Sequence, residues 1–198
     1  MPEKRTSTVE RTTGETSIEA TFCLDGTGQA DVSTGVGFLD HMLELFARHG
    51  LFDLTVRAEG DLEVDSHHTT EDVGIVLGQA FDEALGDKKG ITRFADVRLP
   101  MQESLAEVAV DVCGRAFLHC QMEFPTERVG EFDLELVEEF LHAFAGNSAL
   151  TLHVDLVRCE NSHHGAEAIY KGLARALRTA VSFDPRAAAE VPSTKGTL

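Results

Sequence analysis

Ser66-His67-His68-Thr69-Thr70-Glu71 and Ser162-His163-His164-Gly165-Ala166-Glu167 spell one metal-binding word, H-H-x-x-E, twice, 96 positions apart. On a helix, the second histidine and the glutamate of each word stand at i and i+3 and share a face. The first histidine points elsewhere, so one doublet can serve two ions. Each copy follows a short polar segment, Glu63-Val64-Asp65-Ser66 or Cys159-Glu160-Asn161-Ser162. Each precedes a run of helix formers with apolar spacing, Val73 to Leu85 or Ala166 to Val181. A lone word of this kind on a surface is a weak signal. Two copies in matching contexts predict a duplicated fold and a site built from both halves.

The flanking segments repeat as well. Ser17 to Leu24 alternates loosely and stops at Asp25-Gly26, a strand and a turn. Phe38, Leu39, Met42, Leu43, Leu45 and Phe46 follow helical spacing, stopped by Gly50. Phe52 to Ala58 alternates as a half-buried strand, and the first metal word with its helix follows, closed near Gly86. In the second half, Leu105 to Cys113 and Ala116 to Phe124 alternate about Gly114-Arg115, which predicts a hairpin. Leu134 to Ala145 is helical, Leu150 to Leu156 is a strand, and the second word opens a helix to about Phe183. Residues 1–16 are polar and read as irregular. The expected architecture is α+β in two similar halves, about 11–90 and 100–184, each a four-stranded sheet with two helices on one face. Residues 185–198, with Pro185 and Pro192, read as an extended tail within a single domain.

Composition narrows the function. A formal net charge of −17 argues against a nucleic-acid partner, which calls for a basic footprint. It also means that an anionic substrate needs local cations to overcome the global field. No run approaches 18 apolar residues, so no membrane span is expected, and the polar start lacks the apolar core of a signal peptide. Cys23, Cys113, Cys120 and Cys159 show no metal or disulfide spacing and fit a reduced, cytoplasmic setting.

Aligning the two halves adds a ligand to each. His41 lies on the helix before the first half's inner strand, and the matching place in the second half is Glu139. The candidate ligands are then His41, His67, His68 and Glu71 with Glu139, His163, His164 and Glu167. Five imidazoles and three carboxylates without a thiolate suit Mn²⁺, with zinc, iron and cobalt as alternatives. Such a set serves a dinuclear hydrolase acting on a phosphate ester, or a metal storage or sensing protein. The remaining histidines read as bystanders. His49 sits at a helix end where a cation suits the dipole, His119 and His153 lie on strands, and His142 faces solvent.

Read together, several words resemble the imidazoleglycerol-phosphate dehydratase family. They are Phe38-Leu39-Asp40-His41-Met42-Leu43, Asp65 through Gly74, Ser162-His163-His164 through Glu167-Ala168, and Pro192-Ser193-Thr194-Lys195-Gly196. The resemblance runs from Arg11 to Gly196. It implies a dinuclear manganese site, with His67, Glu139, His163 and Glu167 on one ion and His41, His68, Glu71 and His164 on the other. It implies that Arg93, Arg115, Lys171, Ser193 and Lys195 hold a substrate phosphate, which is the cation cluster an acidic protein needs. Glu15 matches a substrate contact. Three positions depart from the family habit: Glu139 replaces a frequent His, Ser66 a frequent Asp, and Tyr170 a usual Phe.

The implied reaction removes water from D-erythro-imidazole glycerol phosphate to give imidazole acetol phosphate in histidine biosynthesis. The departing proton has no adjacent carbonyl, and general base catalysis contributes only about 10²–10⁴. Two ions flanking the ring as an imidazolate, with a diazafulvene-like species after loss of hydroxide, would make that proton acidic. Glu167 is the first choice of base, with Glu15 and Glu71 in reserve. The resemblance further implies ligands shared between neighbouring subunits in a symmetric 24-subunit homo-oligomer.

Overall fold

The computed structural model describes residues 4–187 and 190–198. The first half contains β1 (Thr6–Thr12), β2 (Thr16–Cys23), β3 (Ala30–Ser33), α1 (Gly37–Gly50), β4 (Asp53–Gly60) and α2 (His67–Leu85). The second contains β5 (Phe94–Met101), β6 (Ser104–Asp111), β7 (Phe117–Gln121), the short β8 (Arg128–Val129) and β9 (Phe132–Asp133), α3 (Glu135–Asn147), β10 (Thr151–Arg158) and α4 (Ser162–Ala180). The two main sheets have the same topology, β1-β2-β4-β3 and β5-β6-β10-β7. In each, a hairpin supplies two strands, and the last two lie parallel with a helix in the crossover. The fold is α+β and internally duplicated, as the repeated words predict.

The register makes the duplication exact enough to map residue onto residue. Thr6 faces Cys23 across β1 and β2, and Phe94 faces Asp111 across β5 and β6, an offset of 88 on both strands. Cys23 faces Asp53, and Asp111 faces Thr151, so the offset is 98 on the inner strands β4 and β10. The ten extra residues lie between β7 and α3 and include the β8–β9 hairpin. His41 and Glu139 are each the fifth residue of their helices, which confirms that they are counterparts.

One face of each sheet is buried, with Ile18, Ala20 and Phe22 of β2 and Ala106, Val108 and Val110 of β6 pointing into the core. α2 covers β1 and β2, and α4 covers β5 and β6. Across the halves, α1 packs on α4 and α2 on α3, so one continuous core joins everything. Phe144 ties the halves, with its ring 6.1 Å from Phe46 and 5.7 Å from Phe81. The α2–α3 crossing is close because Gly74 and Gly78 lack Cβ atoms that would meet the Phe140 and Phe144 carbonyls at 2.9 and 2.7 Å.

Two expectations are corrected. Residues 6–12 form an edge strand rather than irregular chain, because β1 exposes every second residue and needs few apolar ones. The hairpin expected across Gly114-Arg115 does not form. β6 pairs instead with β5, and β7 runs parallel to β10, which occupies the place between them. β10 supplies Leu152 and Val154, both fully buried, and so takes the central position. Among the described residues no helix is long and apolar enough to cross a membrane.

Candidate metal centre

Both metal words open helices, and the same device starts each. Asp65 Oδ1 accepts the His67 amide at 2.7 Å, and Asn161 Oδ1 accepts the His163 amide at 3.0 Å and the His164 amide at 3.3 Å. These side chains satisfy helix-start N–H groups that lack intrahelical partners. Each histidine doublet is thereby fixed on the first turn, with its two rings nearly perpendicular.

The α1–α4 contact brings His41, His163 and Glu167 together, with one ligand atom of each within 4.8 Å of the others. Glu167 Oε1 lies 3.1 Å from His41 Nε2 and 3.0 Å from His163 Nε2. Its other oxygen accepts from Lys171 Nζ. Burial pushes the Glu167 carboxyl up, but the hydrogen bonds from Lys171, His41 and His163 outweigh it and hold the group at about 2. Phe38 stands edge-on to the His163 ring at 5.3 Å and Phe132 packs on Phe38. A cavity of about 500 Å³ opens in front, lined by His41, His163, Phe38, Ser66 and the β8–β9 turn. Among the described residues this is the only such group of three. Two imidazole nitrogens and a carboxylate oxygen converging on one point fit a divalent ion with N/O preference.

The first metal word is arranged more openly. His67 Nε2 stands 4.0 Å from Glu71 Oε2. His68 Nδ1 contacts Asp61 Oδ2 at 3.0 Å, while its Nε2 faces Glu15 Oε1 at 3.8 Å. The Asp61 hydrogen bond raises the His68 pKa against the smaller opposing effect of desolvation. His164 Nδ1 contacts Glu103 Oε1 at 2.9 Å. Glu139 is half-buried on α3 and outside the three-residue group. Within one chain His41 lies with His163 and Glu167, and the resemblance, which shares ligands between subunits, leaves the partition over two ions to the assembly.

The residues expected to hold a phosphate divide in two. Arg93, held at φ 74°, pairs with Asp111 and donates to the Pro192 carbonyl at 2.7 Å. That contact brings the tail with Ser193 and Lys195 beside it, and Leu198 closes over Gly114, next to Arg115. Lys171 stands apart on α4, bonded to Glu167 and Met101. His49 stands in the last turn of α1, as expected, where burial first, then Lys171 and Arg175, lower its pKa. Asp61 and Glu103 were absent from the sequence pattern. Glu103 had one available signal, since it precedes its strand as Glu15 precedes β2.

A sequence profile described as imidazoleglycerol-phosphate dehydratase matches residues 34–177. The imidazoleglycerol-phosphate dehydratase of Methylorubrum extorquens is 59% identical over 98% of this chain and its own full length. That of Rhodopseudomonas palustris strain TIE-1 is 60% identical, covering 98% of each. Among solved structures, the Staphylococcus aureus dehydratase superposes with a TM-score of 0.82 at 42% identity, covering 90% of this chain and 99% of that one. The Pyrococcus furiosus enzyme, solved in complex with (S)-C348, gives 0.83 at 35% identity, covering 96% and 100%.

Proposed function

The chain belongs to the imidazoleglycerol-phosphate dehydratase family, and from that premise we propose that it is the hydro-lyase of histidine biosynthesis that converts D-erythro-imidazole glycerol phosphate to imidazole acetol phosphate. The observation that carries this reading is the convergence of His41, His163 and Glu167 beside a cavity large enough for a small phosphate ester. Its counterpart by internal symmetry is Glu139, His67 and Glu71, so the chain holds two half-sites of related chemistry.

His41, His67, His68, Glu71, Glu139, His163, His164 and Glu167 would hold two Mn²⁺ ions. Bound there, the ions would supply Lewis-acid stabilisation of the substrate's imidazole as its anion. The chain's own groups bind, orient and move the proton. Glu167 stays the first choice of base, with Glu15 and Glu71 in reserve. In the metal-free chain Glu167 is bonded to Lys171 and two histidines, which would turn to phosphate and metal when the ions bind. Glu15 is more than half exposed, faces His68, and has no Lys or Arg partner among the described residues. Arg93, Arg115, Ser193 and Lys195 gather near the tail and suit the phosphate, whose capture fixes the chain for elimination. Lys171 would join them by leaving Glu167 when that carboxylate takes an ion. Ligands split between separate faces of one chain favour sites completed by neighbouring subunits, in a cytoplasmic 24-subunit homo-oligomer.

The test is to strip the protein with a chelator, add Mn²⁺, and follow ketone and inorganic phosphate together. Metal-dependent ketone without phosphate release is expected. Free phosphate would replace the lyase with a hydrolase, and tight metal uptake with neither product would leave a storage protein.

A further inference from the structure

The mapping between halves pairs the strands by offsets of 88 and 98 and the metal words by 96, and one of the resulting pairs has changed its task. Glu15 directly precedes β2, and the offset of 88 places Glu103 directly before β6. Each sits in the tight turn of its hairpin and reaches the second histidine of its own metal word. They do not reach the same atom. Glu15 faces Nε2 of His68 at 3.8 Å, whereas Glu103 contacts Nδ1 of His164 at 2.9 Å.

The reason lies one residue beyond the inner strands. Asp61 follows β4 and takes Nδ1 of His68 at 3.0 Å. The residue following β10 is Cys159, whose thiol donates to the Asn161 carbonyl at 3.3 Å. A thiol is a weak acceptor and cannot replace a carboxylate. The second half therefore lacks its Asp61, and the hairpin carboxylate covers the vacancy. Gln102, at φ 52°, turns the chain so that Glu103 points back over the start of α4. Ser104, buried and donating to Glu103 Oε1 at 3.3 Å, steadies the carboxylate.

We propose that Glu103 is the positioning residue of His164. By accepting a hydrogen bond from Nδ1–H it fixes the tautomer whose Nε2 lone pair is free for a metal, as Asp61 does for His68. The duplicated hairpin carboxylates have thus divided their labour: Glu15 stays on the substrate side, and Glu103 stands behind the ligand. This rests on the metal-dependent dehydratase reading, and the experiment separates the two.

The full chain, labelled with ¹⁵N-histidine and stripped of metal, is measured by NMR above pH 8, where imidazoles are neutral. His164 is identified by the signal missing from H164N. In the wild type His164 is expected as the Nδ1–H tautomer; in E103A it should revert to the mixture of a free imidazole, and in E103Q, whose amide oxygen still accepts, return toward Nδ1–H. Mn²⁺ titrated by calorimetry should bind about 10–100-fold more weakly to E103A, with E103Q between. An unchanged tautomer in E103A, or unchanged Mn²⁺ affinity with a changed tautomer, overturns the positioning role. Circular dichroism identifies any variant that has lost its fold, and E103Q, matched in size, then carries the test. If H164N binds Mn²⁺ as the wild type does, the ligand reading itself has failed, whatever Glu103 does to the ring.

Discussion

Arg11 on β1 and Asp72 on the second turn of α2 form an ion pair under the hairpin that presents Glu15, and Thr16 donates to the same carboxylate. Asp72 is 6% exposed and the Arg11 side chain about a third. The same places in the second half hold Leu99 and Ala168, so the molecule carries an ionic and an apolar solution to one packing problem. Removing one partner of a buried pair costs about 3–5 kcal/mol, because the survivor stays charged without compensation. R11L strands a buried carboxylate that keeps only Thr16. Allowing for the exposure of Arg11, we expect a loss of about 2–3 kcal/mol. R11L/D72A installs the second half's own solution and should return to within about 1 kcal/mol of wild type. Urea unfolding of the chelator-stripped wild type, both single variants and the double variant measures the coupling. A double variant as unstable as the sum of the singles would refute this account. Because the pair also anchors the Glu15 turn, turnover of the refolded double variant should remain well below wild type even where stability is recovered.

Y170F removes a fully buried hydroxyl without a hydrogen-bond partner and should raise stability by about 1 kcal/mol; a loss of that size in thermal unfolding would show that Tyr170 has a polar role. G78A places a methyl 2.7 Å from the Phe144 carbonyl and should cost about 1–3 kcal/mol by the same assay, with a neutral result refuting the close α2–α3 crossing. In the stripped protein Glu167 is held near 2 against its usual 4.5, so the folded state favours its ionised form. That contribution, roughly 3 kcal/mol, is complete above about pH 4.5 and fades as pH falls toward 2. E167Q should flatten this limb of the stability profile, and an unchanged acid limb would mean that other carboxylates dominate.

The parts of this structure that could be read in the sequence are those where burial and chemistry coincide. The α1, α2 and α4 helices and the inner strands carry strong apolar periodicity, and the metal words mark the start of the last helix in each half. β1 escaped because an edge strand with Val9 as its one aliphatic residue has little to alternate. β7 was visible as a strand, but its partner was not, since pairing depends on which strand fills the centre of the sheet. At the site, ligand identities could be listed from spacing and internal alignment. Their grouping could not, because it depends on α1 crossing α4 rather than α2. Asp61 and Glu103 look like ordinary loop acids until the fold brings them to imidazole nitrogens.

Two copies of one unit begin as interchangeable niches, and any alteration of the shared plan touches both. The ten residues that separate the offsets of 88 and 98 break that equivalence. They carry the β8–β9 hairpin, whose turn walls the cavity before His41 and His163, and whose Phe132 braces Phe38 against His163. The first half has no such wall. One niche can therefore be reshaped by lengthening or trimming a surface hairpin while its twin stays as it was. Selection gains an independent handle on access and polarity at one pole of a symmetric machine, without any change to the ligands themselves.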